Sequence, residues 1–260
     1  MDWTPTEIDV WNDVSECLAL TTRRITADHG PRPNWKRLLD NHWLEEVQTT
    51  YGPVLALTKQ AYDHLPSQSR LTGPNSLADR AYMMDAVRML EGQGYEWLDW
   101  DYKLYQDTKR CTAHITRARM RAPQTEMRRL IAYFGDPGPP RLAPSGVPEE
   151  RLGEIWLYAR CSGGGVQATE LRKLLKLHGS HITYSWRSPL LIVTPEESGA
   201  LRHLVRRTNA RAAQNHGKSS SYDSMVKAPL HLVVQCFERP LPQSRVRRPS
   251  QGFGESRDDR

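Results

Sequence analysis

Two arginine clusters, one glycine turn and a set of alternating aromatics are the residues of this 260-residue chain whose types and spacing could do chemistry. Residues 109–129 carry Lys109, Arg110, Arg117, Arg119, Arg121, Arg128 and Arg129 against Glu126, a net +6. Residues 198–248 carry ten cations, among them Arg202, Arg206, Arg207 and Arg211, against Asp223 and Glu238, a net +8. The planar guanidinium fork matches phosphate oxygens better than the point charge of lysine does. The clusters therefore point to an anionic partner. The competing reading is internal pairing, because residues 85–107 are net −4 and could neutralise the first cluster within one fold.

The aromatics offer a second kind of contact. Trp156 and Tyr158 alternate with Ile155 and Leu157, and Tyr184 and Trp186 share a face in the same way. Flanked by Arg160 and Arg187, they would form stacking surfaces with cations beside them, as single-stranded nucleic acid requires. The pattern resembles the sheet surface of the RNA-recognition-motif family, whose third strand carries aromatics. The corresponding strand here, Leu190–Thr194, has none. Packing of this face against the helical half or a second copy of the chain is the other reading.

Ser162-Gly163-Gly164-Gly165 joins an expected strand to an expected helix. Its backbone N–H groups could hold a phosphate or simply make a tight connection. Neither GxGxxG nor GxxxxGK[ST] is satisfied, and no cofactor is expected. Tyr158-Ala159-Arg160-Cys161-Ser162, followed by Gln167, Glu170 and Leu171, resembles the opening motif of serine recombinases. That resemblance implies Ser162 as a nucleophile toward a DNA phosphate, with Arg160 neutralising the phosphate.

Other constellations are thinner. Asp99 and Asp101 would diverge on a helix, His178 and His181 have no third ligand nearby, and His114 belongs to the basic stretch. Cys17, Cys111, Cys161 and Cys236 are far apart, which suits reduced, mostly buried thiols and no zinc site.

What positions these residues is read from periodicity. Apolar residues at Ile8, Trp11, Val14 and Leu18, then Trp35, Leu38, Leu39, Trp43, Val47 and Tyr51, then Leu77, Ala81, Met84, Val87 and Leu90, follow a helical period. Trp97, Trp100, Leu104, Cys111 and Ile115 extend it, so an all-α helical bundle is expected over 1–134. Five prolines and three glycines within 135–148 mark a Pro/Gly-rich linker at 135–150. From 151 to 240 the order β-α-β-β-α-β predicts a ferredoxin-like α+β domain, and 241–260 reads as a disordered basic tail.

No apolar run approaches the twenty residues a membrane helix needs, and no leader-like segment follows Met1, so no integral membrane association and an intracellular place, cytoplasm or nucleus, are expected. The favoured reading is a non-catalytic nucleic-acid-binding protein, RNA slightly before DNA, with homo-oligomer formation possible. Its contacts would be the arginines named above with Trp156, Tyr158, Arg160, Tyr184, Trp186 and Arg187. The alternatives are a matrix- or capsid-like assembly protein of a virus or mobile element, suggested by eight tryptophans, and a recombinase-like enzyme.

Overall fold

A computed structural model describes residues 2–65, 73–106, 112–126, 154–180, 189–215 and 230–234. The chain is mixed α+β with two separate sheets.

The first sheet belongs to a unit that begins with α1 (Pro5–Cys17). Thr4 and Glu7 close a reciprocal capping box at its start: the Glu7 N–H donates to the Thr4 hydroxyl, and the Thr4 N–H donates to the Glu7 carboxylate. The short β1 (Ala19–Thr21) follows, then α2 (Thr22–His29), capped by the Thr21 hydroxyl, which accepts from the Arg24 N–H. A turn at Gly30-Pro31 and one 3-10 turn (Arg32–Asn34) lead into α3 (Lys36–Asp40). A hairpin completes the unit, β2 (Leu44–Thr49) with β3 (Gly52–Leu57), in the order β1-β3-β2 and antiparallel throughout. Val10, Val14, Ile25, Trp35, Leu38, Leu44 and Val54 are buried and form its core.

The short α4 (Lys59–Tyr62) precedes α5 (Pro74–Glu91). Ten of the 18 residues of α5 are buried, on all sides, as expected of a helix enclosed by other elements. It packs against all three strands of the first sheet and against β4 and β6 of the second. That second sheet runs β4 (Glu96–Gln106), β5 (Thr112–Arg121), β6 (Glu154–Ala159), β7 (Leu190–Thr194) and β8 (Leu230–Val234), in that spatial order. β4, β5 and β6 pair antiparallel, and β6, β7 and β8 pair parallel through α6 (Ala168–Ser180) and α7 (Gly199–Asn215). Every residue of β6 and β7 is buried, which matches the apolar character of parallel strands covered on both faces.

Three expectations change. The segment before residue 134 is not all helix: five strands lie among its described residues. The run from Trp35 to Tyr51 breaks at His42, a non-glycine residue at φ 57°. There the N–H groups of His42 and Trp43 return to the carbonyls of Leu39 and Leu38 and end α3, so the chain leaves as β2. The sheet after residue 151 is not the antiparallel ferredoxin-like arrangement, because β6, β7 and β8 are parallel neighbours. The expected strand over 181–187, the linker 135–150 and the tail 241–260 lie outside the described residues. The strands on either side of that linker, β5 and β6, are hydrogen-bonded partners.

Candidate nucleic-acid interface

The α2–turn–α3 segment is built to hold its polar side outward. Gly30, at φ 84°, makes the turn in a left-handed conformation that favours glycine. The Trp35 indole N–H donates to the Gly30 carbonyl at 3.2 Å, fixing the start of α3 against the turn. With Ile25, Trp35 and Leu38 inside, Arg23, Thr26, Arg32, Asn34, Lys36 and Arg37 are left exposed. Residues 22–43 carry five Lys/Arg and two Asp. α1 carries Glu7, Asp9, Asp13 and Glu16, and Asp13 meets the His29 ring of α2 at 2.7 Å. Arg37 is held by the Glu7 carboxylate at 2.8 Å, Arg32 by Glu46 at 3.0 Å, and Lys36 lies 3.8 Å from Asp40. The Glu7 carboxyl is lowered, chiefly by the Thr4 N–H; burial opposes this, and the Thr4 hydroxyl and Arg37 add to it.

Two links tie this unit to α5. Asp85 accepts from the Tyr51 hydroxyl at 2.6 Å, from the tip of the β2–β3 hairpin, and from Arg24 of α2 at 3.3 Å. Burial, and then Asp85, push the Tyr51 phenol well above its usual range, so it stays a donor at every physiological pH. On the other side of the unit, Trp100 of β4 donates to the Glu16 carbonyl at 3.2 Å, and the Arg80 guanidinium lies 4.5 Å from the Trp100 ring centre.

A second cluster forms where β6 ends. Asp79 of α5 accepts from the N–H groups of Cys161 (3.0 Å) and Ser162 (2.7 Å), and from the Ser162 hydroxyl (2.7 Å). Arg160 bridges Asp79 and Glu170 and also donates to Ser162 Oγ at 3.1 Å. Tyr158 donates to Glu170 at 2.7 Å. Burial opposes the Arg160 charge, but Glu170 and Asp79 outweigh it and raise the guanidinium above its ordinary value. Burial and Glu170 hold Tyr158 protonated. Gly165, at φ 95°, packs so tightly that a Cβ would meet Thr194 Oγ1 at 2.1 Å. That hydroxyl accepts from the Val166 N–H and donates to the Glu196 carbonyl.

The expected site residues therefore separate into distinct places. Ser162 is 1% exposed, with its hydroxyl held between Asp79 and Arg160, so it is closed to an incoming phosphate. Trp156 and Tyr158 are buried rather than displayed on an open sheet face, because β6 is central and covered on both sides. Arg117 is buried with its guanidinium 4.2 Å from the Trp156 ring centre, a cation–π pair inside the protein. Arg119 pairs with Asp99, through Nε at 2.9 Å, and with Glu154. Arg121 pairs with Glu96. These are the cross-strand neighbours of the β4–β5 hairpin, and they are the internal pairing of the acidic and basic stretches. Asp99 sits on a strand and not on a helix. Arg202 is held by Glu197, while Arg206 and Arg207 stand exposed on α7. Arg211 belongs to α7 but its side chain is not described, and Arg128, Arg129, Tyr184, Trp186 and Arg187 lie outside the described residues. Cys17 and Cys161 are buried, and neither is in a disulfide.

Sequence reasoning passed over Arg32, Asn34 and Lys36 as contacts, and the anchoring carboxylates Asp79 and Asp85; it met Glu170 only within the recombinase-like motif. The available signal for the first three was the Gly30-Pro31 break between two short apolar-periodic stretches. Among the described residues no group of His, Cys, Asp or Glu is placed to hold a metal ion, and no helix is long and apolar enough to cross a membrane. Compared with known protein families, curated proteins and solved structures, the chain matches none.

Proposed function

We propose that this chain is a nucleic-acid-binding protein whose N-terminal unit engages duplex DNA. The observation that carries the reading is the order α1-β1-α2-α3-β2-β3 with strand order β1-β3-β2. Two consecutive helices across a tight turn, followed by a β-hairpin, make a helix-turn-helix with a hairpin wing, a fold-level analogy to DNA-binding modules. In such a unit the second helix enters the major groove, about 12 Å wide, while the first crosses the backbone. By that analogy Asn34 would face base edges, and Arg23, Arg32 and Lys36 would face phosphates. Duplex DNA is preferred to single-stranded RNA because Trp156 and Tyr158 offer no open stacking platform.

The test is a fluorescence-anisotropy salt titration on a mixed-sequence duplex with Arg23→Gln, Arg32→Gln and Lys36→Gln variants. Each lost phosphate contact should flatten the log–log salt slope by about 0.9. Asn34→Ala should relax sequence preference while leaving that slope alone. A triple variant with the wild-type slope refutes the assignment of DNA to this unit.

A further inference from the structure

The paired arginines of the β4–β5 hairpin leave one cationic surface unaccounted for, on the opposite part of the chain. α6 and α7 pack against each other. Leu171 and Leu174 of α6, and Leu201, Leu204 and Val205 of α7, are turned into the protein. The periodicity that buries them pushes Arg172, Lys173, Arg206 and Arg207 outward, and all four are exposed. Among the described residues none of the four is in an ion pair. The nearby acid, Glu197, is hydrogen-bonded by Arg202 at 2.6 and 2.8 Å and feels Arg206 only as a more distant charge. This contrasts with Arg117, Arg119, Arg121 and Arg160, each committed to an internal ring or carboxylate.

We infer that the α6–α7 layer is a second DNA-contacting surface, on which Arg172, Lys173, Arg206 and Arg207 bind the phosphate backbone. The inference rests on DNA being the partner, as proposed for the N-terminal unit, and adds a second set of contacts far from it in sequence. Arg206 and Arg207 are adjacent on one helix, and Arg172 and Lys173 are adjacent on its neighbour. Exposed cations on two neighbouring helices suit a repeating line of phosphates, which needs charge and reach but no fixed donor geometry. Assigned to phosphates alone, these cations should add affinity and salt dependence without sequence preference.

The experiment uses the full chain and a 40-bp mixed-sequence duplex, titrated between 50 and 200 mM salt. The probe variants are the quadruple Arg172→Gln/Lys173→Gln/Arg206→Gln/Arg207→Gln and the N-terminal triple variant. Glutamine keeps helix propensity close to that of the residues replaced, so an unchanged thermal melt serves as the folding control. Four phosphate contacts correspond to a slope change of about 3.6. Across a fourfold change in salt, the loss of affinity should therefore be about 150-fold smaller in the quadruple variant than in the wild type. A quadruple variant with the wild-type slope overturns the inference and leaves the N-terminal reading standing. A slope reduced by the quadruple but not by the triple variant refutes the N-terminal reading and leaves α6–α7 as the DNA surface. A wild type that binds single-stranded RNA, but no duplex DNA at any salt, overturns both.

Discussion

Replacing Asp79 with alanine should be among the most damaging single changes in the protein, although this carboxylate is partly exposed. Its two oxygens serve four donors from the end of β6: two backbone N–H groups, the Ser162 hydroxyl and the Arg160 guanidinium. In Asp79→Ala the N–H groups of Cys161 and Ser162, in residues 7% and 1% exposed, lose their acceptor. An unpaired buried donor costs about 1–3 kcal/mol. The hydroxyl can rotate, and the Arg160 side chain, 32% exposed and still bound to Glu170, loses little after solvent screening. The total is about 3–5 kcal/mol. Asp79→Asn keeps an acceptor for both N–H groups and should cost about 1–2 kcal/mol. Ser162→Ala removes donor and acceptor together and should cost about 1 kcal/mol. Urea unfolding followed by tryptophan fluorescence measures all three at constant m-value. If Asp79→Ala falls within about 1 kcal/mol of Ser162→Ala, the carboxylate is not the anchor of this corner, and the reasoning fails.

Two further outcomes follow from the geometry. Gly165→Ala forces an L side chain to φ 95° and a Cβ to 2.1 Å from Thr194 Oγ1, displacing the hydroxyl that joins Val166 to Glu196. Backbone strain and the lost bonds together cost about 3 kcal/mol, a fall in Tm of about 6–12 °C by scanning fluorimetry; a fall under about 2 °C would contradict the packing described. The lowered carboxyl of Glu7 gives stability that is present above the ordinary glutamate value of 4.5 and lost as pH falls through its folded value. Unfolding free energies of wild type and Glu7→Gln should therefore converge as pH drops from 6 toward 3, and parallel curves would rule out the linkage.

Parts of this architecture were legible before any coordinates. The Gly-Pro-Asn-Ser start before α5, the buried run of β7 and the strand–glycine–helix order at β6 and α6 sit where the patterns place them. The tryptophans at 97 and 100 misled for an identifiable reason. A β-bulge between Trp97 and Asp99 shifts the register, and the two rings meet at 5.0 Å, so a three-residue spacing that reads as helical comes from a strand. The end of α3 was hidden because its left-handed position is His42 and not glycine. The candidate interface was hard to see for a similar reason: its helices have eight and five residues, too short for periodicity to resolve. The arginines divide along a line composition cannot draw, since Arg119 and Arg206 differ only in which carboxylates stand across from them.

The pairing of β5 with β6 also bears on how the chain comes off the ribosome. The strand pairings of the N-terminal unit close within residues 19–57, so its sheet can form while the rest is still being made. The β4–β5 ribbon cannot. Its inner edge waits for β6 across the 33 positions from Arg121 to Glu154. At about 5–20 residues per second, synthesis leaves that edge open for roughly 2–7 seconds. During that interval an unsatisfied row of strand N–H and C=O groups is presented to other nascent chains. Glu96, Asp99, Arg119 and Arg121 put opposite charges along the ribbon throughout the wait, and charge on an open strand discourages edge-to-edge association. The cross-strand ion pairs thereby guard an intermediate as well as join two finished strands.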